Sequence, residues 1–186
     1  QDHGHLAHYP KLYDELIRVP LIVDVPGGPP RRIESQVGLD AIPPTVTDLL
    51  DVEIPPDWSG TPLTPSVIDG EAPPDDPVVS VTVRGEDITT QPIPRSLDDG
   101  DLLVSVRDRD WTYIENVDEG TTELYHRPSD PHQQTDLSAD PSDAERRVIE
   151  RFSSIATDHA RTLRSRDETE SPSTVDDELE QRLAAL

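Results

Sequence analysis

Cysteine is absent from the 186 residues. That excludes disulfides, thiolate metal sites and a cysteine nucleophile. Methionine is absent too, so Gln1 is not expected to be an initiation site, and the chain reads as a fragment or processed product. Phe, Trp and Tyr make up only 4% of the residues and the hydrophobic fraction is 32%, close to the disordered regime. The apolar residues nevertheless gather in periodic runs, which marks folded segments separated by polar spacers. No apolar run approaches the roughly 20 residues that span a bilayer. No signal peptide is legible at the start.

Positive charge is the next scarcity. There are 16 Lys+Arg against 39 Asp+Glu, for a net charge of −23. Such a field repels nucleic acid and anionic lipid, so neither is an expected partner. Lys11 is the single lysine, every other basic residue being arginine. This acid excess is the bias of a salt-adapted cytoplasm, where molar salt screens self-repulsion.

The chain alternates helical and strand patterns. "LYDELIR", Leu12 to Arg18, predicts about two helical turns. Leu21 to Val25, bounded by Pro20 and Pro26, predicts a buried strand. "AIPPTVTDLL" predicts a helix with Pro43 and Pro44 in its first turn and an apolar face of Val46, Leu49 and Leu50. A boundary is expected at 70–77. Val78 to Gly85 alternates as a half-buried strand. A polar loop covers 86–100. A hairpin follows, with Leu102 to Val106 and Trp111 to Val117 about a turn at Asp108–Asp110. Leu124–Tyr125 is a further short strand. A long helix is capped by Ser142 with Glu145 three residues on, and Val148, Phe152, Ile155, Ala156 and Leu163 form its stripe. A polar linker and a short amphipathic helix ending in Leu179, Leu183 and Leu186 close the chain.

The chemistry concentrates in "QDHGHLAHYPK". Asp2 and His3 are adjacent, and Gly4 permits the bend that turns both toward one ion. A hard oxygen and a neutral imidazole suit Ca²⁺, Mg²⁺, Mn²⁺ or Zn²⁺, with further ligands from elsewhere. His3, His5 and His8 also read as a local zinc- or nickel-binding tract. His8 and Lys11 are donors suited to an anion's oxygens, the plainer alternative being that Lys11 simply lies along Tyr13.

Other polar clusters have plainer readings. Asp98, Asp99 and Asp101 form a solvated loop. Arg107 and Arg109 are expected to pair with acids of the hairpin. His126 and His132 are expected to be exposed, and Trp111 and Phe152 to anchor a core.

"DHG" followed by "LYDELIRVPLIVDVPG" resembles the sulfatase branch of the alkaline-phosphatase-like superfamily. The resemblance continues in order through "SQVGLDAIPPTVTDLLDVEIPPDWSGTPLTP", "VRDRDWTYI", "ELYHRPSDPHQQTDLS" and "DELEQRLAAL". It implies an incomplete α/β core over residues 1–75 and an α+β C-terminal subdomain over 76–166, an antiparallel sheet packed on one long helix. Residues 167–186 are then linker and terminal helix. It further implies that Asp2 and His3 ligate the divalent ion, commonly calcium, and that His8 or Lys11 contacts the sulfate. His5 stands where many relatives carry Glu.

The family's nucleophile sits in a Cys/Ser-x-Pro-x-Arg motif, the cysteine being oxidised to formylglycine, and this chain has no such motif. The expectation is the C-terminal part of a sulfatase-like hydrolase, inactive alone and completed by the missing N-terminal half, with a sulfate or phosphate ester as substrate. A phosphoesterase or phosphoglycerol-transferase fragment is one alternative. A non-enzymatic remnant or binding module is the other.

Overall fold

A computed structural model of the chain describes residues 3, 11–26, 28, 30–84, 97 and 100–169. The strands β1 (Val78–Arg84), β2 (Asp101–Arg107), β3 (Trp111–Asn116) and β4 (Thr121–His126) form one antiparallel sheet in the order β1-β2-β3-β4. The expected hairpin is present with its turn where the sequence puts it. Asp108 closes that turn, its Oδ1 accepting from the backbone N–H groups of Asp110 and Trp111 at 2.9 and 2.8 Å. At the β3–β4 turn Asn116 Oδ1 takes the same part for Asp118 and Glu119, and Gly120 supplies a φ of +69°. The strand read at Leu124–Tyr125 extends over Thr121–His126.

The period of two divides the sheet into two buried faces. On one face Leu102, Val104, Val106, Tyr113 and Leu124 meet Phe152, Ala156 and Ala160 of helix α3 (Asp143–Thr169). These helix residues recur every four positions, and the two alanines let the backbone lie close to the strands. Phe152 is fully buried, as expected of an anchor, and its ring meets Tyr113 edge-on at 6.4 Å. Trp111 is half-buried at the rim. Ser142 and Glu145 form the expected capping box: the Ser142 N–H donates to Glu145 Oε2 at 2.5 Å and the Glu145 N–H to Ser142 Oγ at 3.4 Å. The helix runs beyond Leu163 into residues read as linker. The terminal amphipathic helix read at 176–186, and most of the loop read at 86–100, lie outside the described residues.

On the opposite face Leu103, Ile114 and Tyr125 are covered by Leu12, Tyr13 and Ile17. The helix expected at 12–18 is a single turn, α1 (Asp14–Ile17). The N-terminal segment therefore packs directly on the sheet of the expected C-terminal subdomain.

Residues 19–69 depart from expectation in two places. Leu21 to Val25 belongs to no sheet, and Ile22 is 90% exposed. A strand needs a neighbour's hydrogen bonds, and none of the four strands comes beside it. Helix α2 (Ile42–Leu49) forms with both prolines in its first turn, as read. Its apolar face, however, is not buried: Leu50, beyond its end, is 68% exposed, and Val46 is exposed as well. What α2 does bury is Pro44 and Thr45, the Thr45 hydroxyl donating to the Ala41 carbonyl at 2.5 Å and accepting the Leu63 N–H at 2.8 Å. Gly60, at φ +92°, passes so close that a Cβ there would stand 2.3 Å from the Asp40 carbonyl oxygen.

Candidate functional site

The described candidate residues, His3 and Lys11, meet on the sheet face opposite α3. Tyr13 is the centre of the arrangement. Its ring stacks on the His3 imidazole at 3.7 Å with an interplanar angle of 6°, and the Lys11 ammonium lies 5.0 Å from its centroid. Its hydroxyl donates to Glu123 Oε2 at 2.7 Å, and the Tyr125 hydroxyl donates to the same oxygen at 2.5 Å. The two tyrosine rings meet edge-on at 6.1 Å. Burial raises the pKa of both hydroxyls, and the neighbouring Glu123 carboxylate raises them further. Burial lowers that of Lys11, against the opposing pull of Glu123.

Two further ties hold the segment. Asp14 pairs with Arg107 of β2, whose guanidinium is buried; burial lowers the Arg107 pKa and the Asp14 charge opposes it. This corrects the expectation that Arg107 pairs within its own hairpin. Alternation places Arg107 on the face that α1 covers, so its partner comes from 93 residues away. The second tie is Gln133, a residue sequence reasoning passed over. It is buried at a left-handed φ of +52°. Its side-chain oxygen accepts the Asp14 N–H at 2.7 Å, and its carbonyl faces His3 Nε2 at 2.7 Å. Asp130 shapes this loop by accepting from the backbone N–H groups of Gln134 and Thr135. The turn was legible in "SDPHQQ"; nothing there singled out Gln133 over its neighbours.

Of the candidate residues, His3 and Lys11 lie within the described residues and meet at Tyr13. Asp2 and His8 lie outside them, as does His5. His126 is half-buried, its Nδ1 2.7 Å from Ser129 Oγ and its ring 4.7 Å from that of Trp111, which corrects the expectation of an exposed side chain; His132 is exposed as expected. Asp101 is not a free loop carboxylate. It pairs with Arg84 at 2.9 Å, while Asp98 and Asp99 lie outside the described residues.

His3 Nδ1 faces Glu15 Oε1 at 2.7 Å, and its Nε2 faces the Gln133 carbonyl. Among the described residues no three His, Asp or Glu side chains are grouped to hold an ion. A carboxylate on one ring nitrogen is the arrangement that orients a metal-bound imidazole, but here the other nitrogen, Nε2, is taken by the Gln133 carbonyl, so His3 meets an ion only if that contact opens.

No protein-family model matches the chain, and no curated protein matches it. Solved structures do. A phosphonate monoester hydrolase from Silicibacter pomeroyi matches with a TM-score of 0.50 and 21% identity, over 66% of this chain and 24% of that one. A crystal structure described as a putative sulfatase from Bacteroides thetaiotaomicron matches with a TM-score of 0.48 and 20% identity, over 69% and 25%. A structure in complex with its substrate D-glucosamine-2-N,6-O-disulfate matches with a TM-score of 0.43 and 17% identity, over 73% and 25%. The chain carries part of the fold of the phosphonate monoester hydrolase, and it spans about a quarter of the length of the structures it matches.

Proposed function

We propose that this chain is the C-terminal part of a sulfatase-like, metal-dependent ester hydrolase. The observation that supports the reading is that His3 and Lys11, eight positions apart, come together at one ring; Lys11 lying along Tyr13 is by itself also what a merely packed lysine would do. In this reading Asp2 and His3 hold the divalent ion, calcium first among the choices, with His3 Nε2 exchanging the Gln133 carbonyl for the ion and the remaining ligands coming from elsewhere. A bound ion would supply positive charge for the ester's developing oxyanion. His8 and Lys11 donate to the ester's anionic oxygens and orient it. Glu15 holds the His3 ring in place. No residue here serves as nucleophile, because the chain has neither cysteine nor Ser-x-Pro-x-Arg.

The exposed apolar residues of 19–25 and of α2 support a larger body. An apolar, β-branched run outside the sheet suits pairing with a further strand. The missing α/β core is the proposed occupant. The fold shared with a phosphonate hydrolase favours a second reading, in which the intact enzyme cleaves a phosphorus ester.

Lys11 permits a direct test, since acylation of the one lysine is read by peptide mass. Sodium sulfate is expected to slow acylation of Lys11 more than sodium chloride of equal ionic strength, and the chain is expected to release no 4-nitrophenol from 4-nitrophenyl sulfate. Equal slowing by both salts, or measurable turnover, overturns the proposal.

A further inference from the structure

Glu123 had no assigned part in the sequence reading, yet it is the group to which the centre of the candidate site is tied. It lies on β4, opposite Ile114 of β3, on the face that α1 covers. One of its oxygens accepts both the Tyr13 hydroxyl, from 110 residues away, and that of its neighbour Tyr125. A carboxylate accepting two hydroxyls makes charge-assisted bonds, stronger than neutral ones. The ring so held is the one on which His3 stacks and over which Lys11 lies.

We infer that Glu123 is a positioning residue for the anion site: by holding the Tyr13 hydroxyl, it fixes the ring that sets Lys11 and His3 relative to one another. This rests on the reading of Lys11 as an anion-binding group. The Asp14–Arg107 pair and the Gln133 bonds fix the backbone of α1. The Tyr13 ring is packed against Leu103, Ile114 and Tyr125, and the hydrogen bond on its hydroxyl is the one to Glu123. The carboxylate is also the largest charge acting in favour of the Lys11 ammonium.

The single lysine gives one lysine Cε resonance in a ¹³C-lysine-labelled chain. Sodium sulfate is the probe, with sodium chloride of equal ionic strength as the blank. The full chain is compared with Tyr13→Phe, Glu123→Ala, the double variant and Tyr125→Phe. Tyr13→Phe keeps the ring and removes only the hydroxyl.

The expected result is a saturable sulfate shift that weakens about tenfold in Tyr13→Phe and in Glu123→Ala, no further in the double variant, and hardly at all in Tyr125→Phe. Wild-type behaviour in Tyr13→Phe and Glu123→Ala overturns the inference. So does an equal loss in Tyr125→Phe, which would mark a general packing role. Should Glu123→Ala lose its β2 and β3 amide signals, Tyr13→Phe decides alone. If the wild type shows no sulfate shift while its Lys11 resonance still moves to the free-lysine value in Tyr13→Phe and Glu123→Ala, positioning by Glu123 is upheld and the anion-site reading fails.

Discussion

Asp14 of α1 and Arg107, at the end of the inner strand β2, form a largely buried ion pair that ties α1 to the sheet. Arg107 brings a charge onto the face where Leu103, Ile114 and Tyr125 form the apolar cluster. Removing its partner leaves that charge stranded. Asp14→Asn is expected to cost about 3 kcal/mol in urea unfolding, and Asp14→Leu with Arg107→Leu to recover part of it. A single variant within 0.5 kcal/mol of wild type contradicts a buried pair.

The two apolar regions should respond oppositely to truncation. Phe152 fills the space between α3 and the sheet, so Phe152→Ala is expected to cost about 3–5 kcal/mol. Ile22 touches mostly solvent, and Ile22→Ser is expected to change stability by no more than about 0.5 kcal/mol. Thermal melts of both variants check the contrast. A large cost for Ile22→Ser would show that 19–25 is packed in the isolated chain.

Acid should weaken the β1–β2 edge. The Arg84 guanidinium, and then Asn116, hold the Asp101 carboxyl below its usual range. A depressed folded-state pKa adds stability above the unfolded value of about 4, and that stability is lost as pH falls through the folded value. Asp101→Asn is therefore expected to lose less stability than wild type between pH 6 and pH 2, measured as Tm against pH. Parallel curves contradict the pairing.

Local signals made most of the fold legible. Ser142 with Glu145, the four-residue stripe through Phe152 and the Asp-rich turn at 108–110 each carry their structure within a few residues. Leu21 to Val25 was misread because a buried strand is defined by its neighbours, which the pattern of one segment does not contain. Half of the site was legible in the same sense. His3 and Lys11 stand out by type and rarity, whereas Arg107, Glu123 and Gln133 matter through partners about a hundred residues away. No local spacing announces such partners.

The charge excess predicts a salt response. At −23 the chain repels itself in dilute buffer, and molar salt shortens the range of that repulsion from about 10 Å to about 3 Å. Tm is expected to rise steadily from 0.1 to 2 M KCl, in keeping with the proposed salt-adapted origin. A flat or falling Tm contradicts it.

The most direct measurement is the sulfate titration of the Lys11 Cε resonance in the full chain, set beside His8→Ala. An anion site at the start of this chain predicts a saturable shift with sulfate, absent with chloride of equal ionic strength and weakened in His8→Ala. A shift that follows ionic strength alone, identical for both salts and both chains, would contradict the assignment of this segment to the anion-binding end of an ester hydrolase.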